Sequence, residues 1–126
     1  MSIKDNLQIE IKEKWLQVVN FVEEHFDKKP DLNAVLFLIG IRELGQLSEK
    51  AFTKEEKTRL MHIGNCRVLS YSGYYEQKGI NMKGWPVWES KLPIPNLTLL
   101  EQENLLRQHI VEYFDREGII DFESTR

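Results

Sequence analysis

The chain has 126 residues, of which 41% are hydrophobic and 29% charged, so we predict one globular domain over residues 1–126 with a single core. Its 17 Lys and Arg against 20 Asp and Glu give a net charge of −3, which predicts no nucleic-acid partner because a phosphate backbone binds a basic face. The single cysteine excludes an internal disulfide, and the lack of a signal-peptide core or a membrane-length apolar run predicts a cytoplasmic protein with no membrane partner.

Apolar residues at three- and four-residue spacing predict four helices, at about residues 6–26, 31–47, 53–72 and 98–117. The stripe of the first helix ends at Phe26, and Asp31 is a plausible N-cap for the second, which is apolar on every side. In the last helix the stripe begins at Leu99 and continues through Leu106, Ile110, Tyr113 and Phe114. After this helix, an apolar patch of Ile119, Ile120 and Phe122 is expected either to dock or to fray.

Two capping boxes mark the starts of the third and fourth helices. Thr53 is followed three residues later by Glu56, and Thr98 by Glu101, which is the spacing at which each side chain caps the backbone of the other residue. Gly73 is a natural stop for the third helix because glycine tolerates the left-handed conformation at a helix C-terminus.

The predicted fold is all-α, a four-helix bundle with a short irregular or β-hairpin insertion between helices 3 and 4. This aromatic insertion covers residues 73–97, which lack a helical period. Residues 74–77 and 85–88 are aromatic enough to pair as strands, with Lys83-Gly84 or Lys78-Gly79 in the turn region. Pro86 limits the hydrogen bonding of such a ladder because proline has no N–H.

Aromatic residues concentrate in and just before this insertion, which makes them the best candidates for a binding site. The candidate binding residues are Tyr71, Tyr74, Tyr75, Trp85 and Trp88, with Arg67 beneath them. Such rings could wall a cleft between helices, or anchor a protein interface, or fold back and cover the core.

Helix geometry places Arg67 in the middle of the apolar face of the third helix, and Glu43 on the apolar face of the second. A charged side chain directed into a core is costly unless it is paired. We therefore predict a structural pair of Arg67 with Glu43, with Glu76 or Glu103 as alternatives. The competing hypothesis is that Arg67 holds an anionic ligand beneath the aromatic rings.

The remaining candidates for chemistry are three histidines and the single cysteine. His25, His62 and His109 fall on three different helices and off the centres of their apolar stripes, so no metal site and no cofactor is expected. His62 and Cys66 share a helical face, but no orienting residue or oxyanion motif accompanies them. We therefore interpret Cys66 as a packing residue, and no catalytic residue is predicted.

The sequence contains no phosphate-binding loop, dinucleotide fingerprint, nucleophile elbow or zinc-binding motif. The favoured hypothesis is a small cytoplasmic, non-catalytic binding or protein-interaction module that uses the aromatic insertion, with a protein partner that could be a second copy of the chain. One alternative is a small-molecule-binding protein or enzyme with a pocket walled by the insertion and Arg67. Another is a structural domain whose aromatic side chains are core.

Overall fold

The computed structural model describes residues 3–46 and 51–122, with side chains from residue 6 onward. Its elements follow the chain in the order α1 (Ile3–Phe26), α2 (Leu32–Leu44), α3 (Lys54–Leu69), a 3₁₀ turn (Ser70–Ser72), β1 (Tyr75–Ile80), β2 (Pro86–Ser90) and α4 (Leu99–Arg116). The predicted helical class with a hairpin between the third and fourth helices is therefore confirmed, whereas their packing as a four-helix bundle stays a prediction. No helix of the described residues combines the length and the apolar character needed to cross a membrane.

The chain divides into two compact units, which we describe separately. One contains α1 and α4 (Met1–Asp31 and Thr98–Arg126), and the other is the continuous segment Leu32–Leu97 with α2, α3 and the hairpin. The single domain over residues 1–126 stays a prediction.

In the first unit, α1 and α4 each bury a narrow apolar stripe. The buried residues are Val18, Val19, Val22, Ile110, Val111, Tyr113 and Phe114, together with Phe122 from the segment after α4. The Phe21 and Phe114 rings meet edge to face at 6.2 Å. The predicted stripes are too long at two ends, because Phe26 is 59% exposed and Leu99 is 72% exposed, each in the terminal turn of its helix.

Both predicted capping boxes are present. Glu56 N donates to Thr53 Oγ1 at 3.1 Å and Thr53 N donates to Glu56 Oε1 at 2.9 Å, and Thr98 and Glu101 make the same reciprocal pair. Because the box satisfies backbone N–H groups that have no partner inside the helix, it fixes where α3 and α4 begin.

The predicted ends of the second and third helices are too late. α2 ends at Leu44 because Gly45 takes a left-handed φ of 68° and its N–H bonds back to Ile41, while Leu47 lies outside the described residues. α3 ends at Leu69, and the next three residues tighten into the 3₁₀ turn before Gly73 stops it at a φ of 80°.

In the second unit, α2 and α3 approach so closely that their backbones touch at two glycines. A methyl group built on Gly40 would overlap the backbone carbonyl of Leu60, and one built on Gly64 would overlap that of Leu36. The later residue of α2 (Gly40) meets the earlier residue of α3 (Leu60), and Leu36 meets Gly64, so α2 and α3 form an antiparallel pair. Only a residue without a Cβ fits at either crossing point.

The strands form a two-stranded antiparallel sheet whose register is interrupted once. Tyr75 pairs with Ser90 and Gln77 pairs with Trp88, but Gly79 then pairs with Val87, so Lys78 is an extra residue in β1. This is a β-bulge, and Gly79, which follows the extra residue, has a φ of 127°. Pro86 stands at the end of the ladder opposite Ile80, where a missing N–H disrupts least.

Candidate functional site

The two tryptophans of the aromatic insertion attach the hairpin to the helix pair. Trp85 and Trp88 are half-buried against the cluster of Leu44, Leu60 and Ile63, which joins the end of α2 to the first half of α3. Phe37, Ile41 and Phe52 pack against the same cluster. These two indoles are therefore part of the core of this unit, as in the prediction that the rings fold back.

A hydrogen-bonded turn holds Trp85 in place. The Asn81 side-chain oxygen accepts from Lys83 N at 2.9 Å and from Trp85 N at 3.0 Å, and Asn81 N donates to the Trp85 carbonyl at 2.8 Å. Gly84 supplies the left-handed φ of 84° that closes this turn, so the turn lies at Lys83-Gly84, and Lys78-Gly79 lies at the bulge in β1.

At the other end of the hairpin, Tyr75 packs over a histidine–cysteine pair on α3. The His62 and Tyr75 rings meet edge to face at 6.3 Å, and Cys66 Sγ lies 3.4 Å from His62 Nε2. Burial raises the pKa of the Cys66 thiol from 9.0 to about 12, and burial, then the neighbouring thiol, raises the pKa of the Tyr75 phenol. The thiol is therefore protonated at neutral pH, as expected for a cysteine that packs inside a core.

Arg67 lies against Glu43, the first of its three predicted partners. Its Nε donates to Glu43 Oε1 at 2.8 Å, its Nη1 donates to Ser70 Oγ at 3.4 Å, and the guanidinium carbon lies 5.0 Å from the centre of the Tyr71 ring. The side chains of Arg67 and Glu43 are 24% and 19% exposed. Protein groups therefore contact the guanidinium on several sides.

The Tyr74 carbonyl accepts from Lys91 N at 2.9 Å, and its side chain is half-buried. The other five predicted binding residues fall into three groups with different neighbours. Arg67 stacks on Tyr71, Tyr75 packs over His62, and Trp85 and Trp88 pack on one apolar cluster. Their binding role stays a prediction.

Sequence reasoning missed three apolar residues that the same hairpin exposes. Ile80 is 65% exposed, Met82 is fully exposed and Val87 is 42% exposed, and we call these three side chains the hairpin tip. Val87 lies on the opposite face of β2 from Trp88, because alternate residues of a strand point to opposite faces. The alternation of Val87 with Trp88 was the signal available in the sequence, whereas the pairing of Val87 with Gly79 depends on the bulge and was not.

A groove on α3 and the three histidines also carry side chains capable of chemistry. A groove beside the first turns of α3 is lined by Lys54, Glu55, Thr58 and Arg59, and includes none of the six predicted binding residues. Across residues 3–46 and 51–122, no three or more His, Cys, Asp or Glu side chains come together as a group that could hold a metal ion. His25 Nδ1 and His109 Nδ1 instead lie 2.8 and 2.7 Å from the carbonyl oxygens of Phe21 and Leu105 in their own helices.

Comparison of the chain with protein families, with curated proteins and with solved structures gives no match.

Proposed function

We propose that the chain is a small, non-catalytic protein-interaction module whose contact surface is the hairpin tip. The observation that supports this proposal is the contrast within one hairpin: its tryptophans are seated on the helix pair, while Ile80, Met82 and Val87 project into solvent. Side chains that are held in place lose little entropy on binding, and exposed apolar side chains are common at interfaces. Ile80 pairs with Pro86, so Ile80 and Val87 lie on opposite faces of the hairpin and a partner would contact its end from both sides.

The aromatic residues have a supporting role in this proposal. Trp85 and Trp88 hold the tip in position, and the accessible parts of Tyr74 and Tyr75 flank the base of the same hairpin. A fully exposed methionine suits a contact surface because its flexible, polarisable side chain adapts to the shape of a partner. The partner is a protein, which could be a second copy of the chain, and the proposed location is the cytoplasm.

The small-molecule alternative has less support in the geometry. A pocket walled by the insertion would need its indoles and the Arg67 guanidinium directed at a guest, but the indoles pack on Leu60 and Ile63 and the guanidinium bonds Glu43.

The test compares two sets of polar substitutions at similarly exposed apolar positions. The hairpin variant carries Ile80→Thr, Met82→Gln and Val87→Thr, and the control carries Leu7→Gln and Leu16→Gln in α1, where these leucines are 53% and 50% exposed. Size-exclusion chromatography with light scattering reports self-association, and quantitative affinity purification, followed by calorimetry on the purified pair, reports other partners.

We expect the wild type and the control to share the same dimer or partner and the hairpin variant to lose it. Circular dichroism must show that all three proteins are folded. If the hairpin variant keeps every association of the wild type, the hairpin tip is not the contact surface.

A further inference from the structure

The sulfur-containing side chains of this chain differ in their access to solvent. Met82 is fully exposed, Met61 in α3 is half-buried, and the single cysteine, Cys66, is 0% exposed. The side chain of Met1 lies outside the described residues. Because a peroxide oxidises the sulfur atoms that it can reach, this order of exposure sets the order of oxidation in the folded chain.

The cysteine, which is ordinarily the first target of a peroxide, is protected here. Peroxides react with an accessible thiolate and not with a buried thiol. Burial raises the pKa of the Cys66 thiol to about 12, and its Sγ lies 3.4 Å from His62 Nε2, on the side of the helix that the Tyr75 ring covers. The most reactive sulfur of the folded chain is therefore that of a methionine.

The Met82 side chain takes no part in the turn that surrounds it. That turn is closed by the Asn81 side-chain oxygen, which accepts from Lys83 N at 2.9 Å and from Trp85 N at 3.0 Å. The same bonds hold Trp85, which packs on the core of the helix pair. We therefore expect a change in the Met82 side chain to leave both the turn and the stability of the protein unaltered.

Oxidation would change the chemical character of the hairpin tip. A lone pair of the thioether sulfur attacks one oxygen of hydrogen peroxide, the O–O bond breaks, and the sulfur becomes a sulfoxide while the peroxide is reduced to water. The flexible apolar side chain thereby becomes a polar one. Of Ile80, Met82 and Val87, only the methionine can change in this way, and it is also the most exposed.

We propose that Met82 is a reversible oxidation site, at which a peroxide converts the thioether into a sulfoxide and thereby releases a partner from the hairpin tip. This inference depends on the proposed function and adds a means of regulation to it. Full exposure on a turn also makes the sulfoxide accessible to a methionine sulfoxide reductase, which restores the thioether.

The first measurement locates the oxidation. The folded full chain is treated with hydrogen peroxide, and its tryptic peptides are followed over time by mass spectrometry. We expect Met82 to be oxidised at least about fivefold faster than Met61, with Cys66 unmodified, because exposure decides the rate. In urea this selectivity should disappear, and the protein oxidised at Met82 should have the urea midpoint of the reduced protein.

Two leucine substitutions form a matched pair for the effect on association. Met82→Leu keeps an apolar side chain that a peroxide does not oxidise, and Met61→Leu makes the same change in α3. Peroxide should weaken the association of the wild type and of Met61→Leu by about tenfold or more, since burial of a methionine side chain contributes at least about that factor. Met82→Leu should associate equally well before and after treatment, and methionine sulfoxide reductases acting on both sulfoxide epimers should restore the wild type.

Oxidation of Met61 or Cys66 as fast as that of Met82 would overturn the inference, as would equal sensitivity of Met82→Leu and the wild type. If the oxidised wild type keeps an association that the Ile80, Met82 and Val87 substitutions abolish, the regulation is wrong and the proposed function stands. If neither the oxidation nor those substitutions change any association, both proposals are wrong.

Discussion

At the scale of single residues, the pair of Arg67 and Glu43 shows how two helices accommodate charge on their apolar faces. The Nε–Oε1 distance is 2.8 Å, and about three quarters or more of each side chain is removed from water. Coulombic attraction grows as water is excluded, so this pair should be stronger than one on the surface. A surface pair for comparison exists in α4, where Arg116 Nη2 lies 2.7 Å from Glu112 Oε1 and the arginine is 59% exposed.

We predict a coupling free energy of about 1–2 kcal/mol between Arg67 and Glu43 and only about 0.2–0.5 kcal/mol between Glu112 and Arg116. The measurement is a double-mutant cycle on urea unfolding, with Arg67→Met and Glu43→Gln, singly and combined, and the equivalent substitutions in the control pair. Equal coupling in the two pairs would show that partial burial does not strengthen the first.

Cys66 gives a prediction on pH dependence. Burial raises the pKa of its thiol from 9.0 to about 12 in the folded protein, so the unfolded chain loses this proton first as the pH rises. The contribution of this thiol to stability is complete below pH 9, and it is lost progressively between about pH 9 and 12.

The free energy of unfolding of the wild type should therefore fall more steeply over this range than that of Cys66→Ala, which lacks the titrating group. Ellman's reagent at pH 8 should modify Cys66 only after denaturant is added. Rapid modification of the native protein, or identical pH slopes for the two proteins, would contradict the burial of a protonated thiol.

At the scale of secondary-structure elements, the two glycines at the crossing of α2 and α3 set the distance between these helices. Gly40 faces the Leu60 carbonyl and Gly64 faces the Leu36 carbonyl, so each helix contributes one glycine and one backbone carbonyl. Because the obstructing atoms belong to the backbone, a new methyl group cannot be accommodated by a side-chain rotation.

Gly40→Ala should destabilise the protein by about 1–3 kcal/mol or more, even though alanine gains about 1 kcal/mol over glycine in helix propensity. Lys57→Ala in α3, at an exposed position, should change the stability by less than about 0.5 kcal/mol. Thermal and urea unfolding measure both. A neutral or stabilising Gly40→Ala would mean that the helices separate without cost.

The same elements show which features of the fold can be predicted from sequence. Helix starts were predictable at Thr53 and Thr98, because a capping box is a local interaction between residues three positions apart. The pairing of Arg67 with Glu43 follows from helical periodicity and the cost of an unpaired charge. These features depend on one helix or on one simple rule between two helices.

The features that could not be predicted depend on tertiary packing. The bulge at Lys78 shifts the strand register by one residue, and such a shift is chosen by which side chains reach the core. Gly40 and Gly64 cannot be distinguished from other helical glycines in the sequence, because their close contacts form only when α2 packs on α3. Aromatic content marks Trp85 and Trp88 in the sequence, but the most exposed large apolar side chain of the described residues is Met82, whose isolated position carries no periodic signal.

At the scale of the whole molecule, the two compact units raise the question of whether the chain unfolds as one domain. Each unit is about half of the chain, and chains of about 60 residues bury only about 60% of the surface that they expose when unfolded, which makes them marginal. We therefore expect a single cooperative transition, in agreement with the single domain predicted from the sequence.

Tryptophan fluorescence tests this expectation because the indoles fall in different units, with Trp15 in α1 and Trp85 and Trp88 in the hairpin unit. In Trp15→Phe, fluorescence follows only the hairpin unit, whereas circular dichroism follows all helices. The two urea curves should coincide. Separate midpoints would show that the units unfold independently.

The bulge in β1 also affects the behaviour of the protein at high concentration. A two-stranded sheet has two outer edges, and an apolar tip beside open edges invites strands of other molecules to add and to form aggregates. Here the bulge at Lys78 breaks the regular edge of β1, and Pro86 removes an N–H from β2. We therefore expect the irregularities that shorten this ladder to hinder the addition of further strands beside the exposed Ile80, Met82 and Val87.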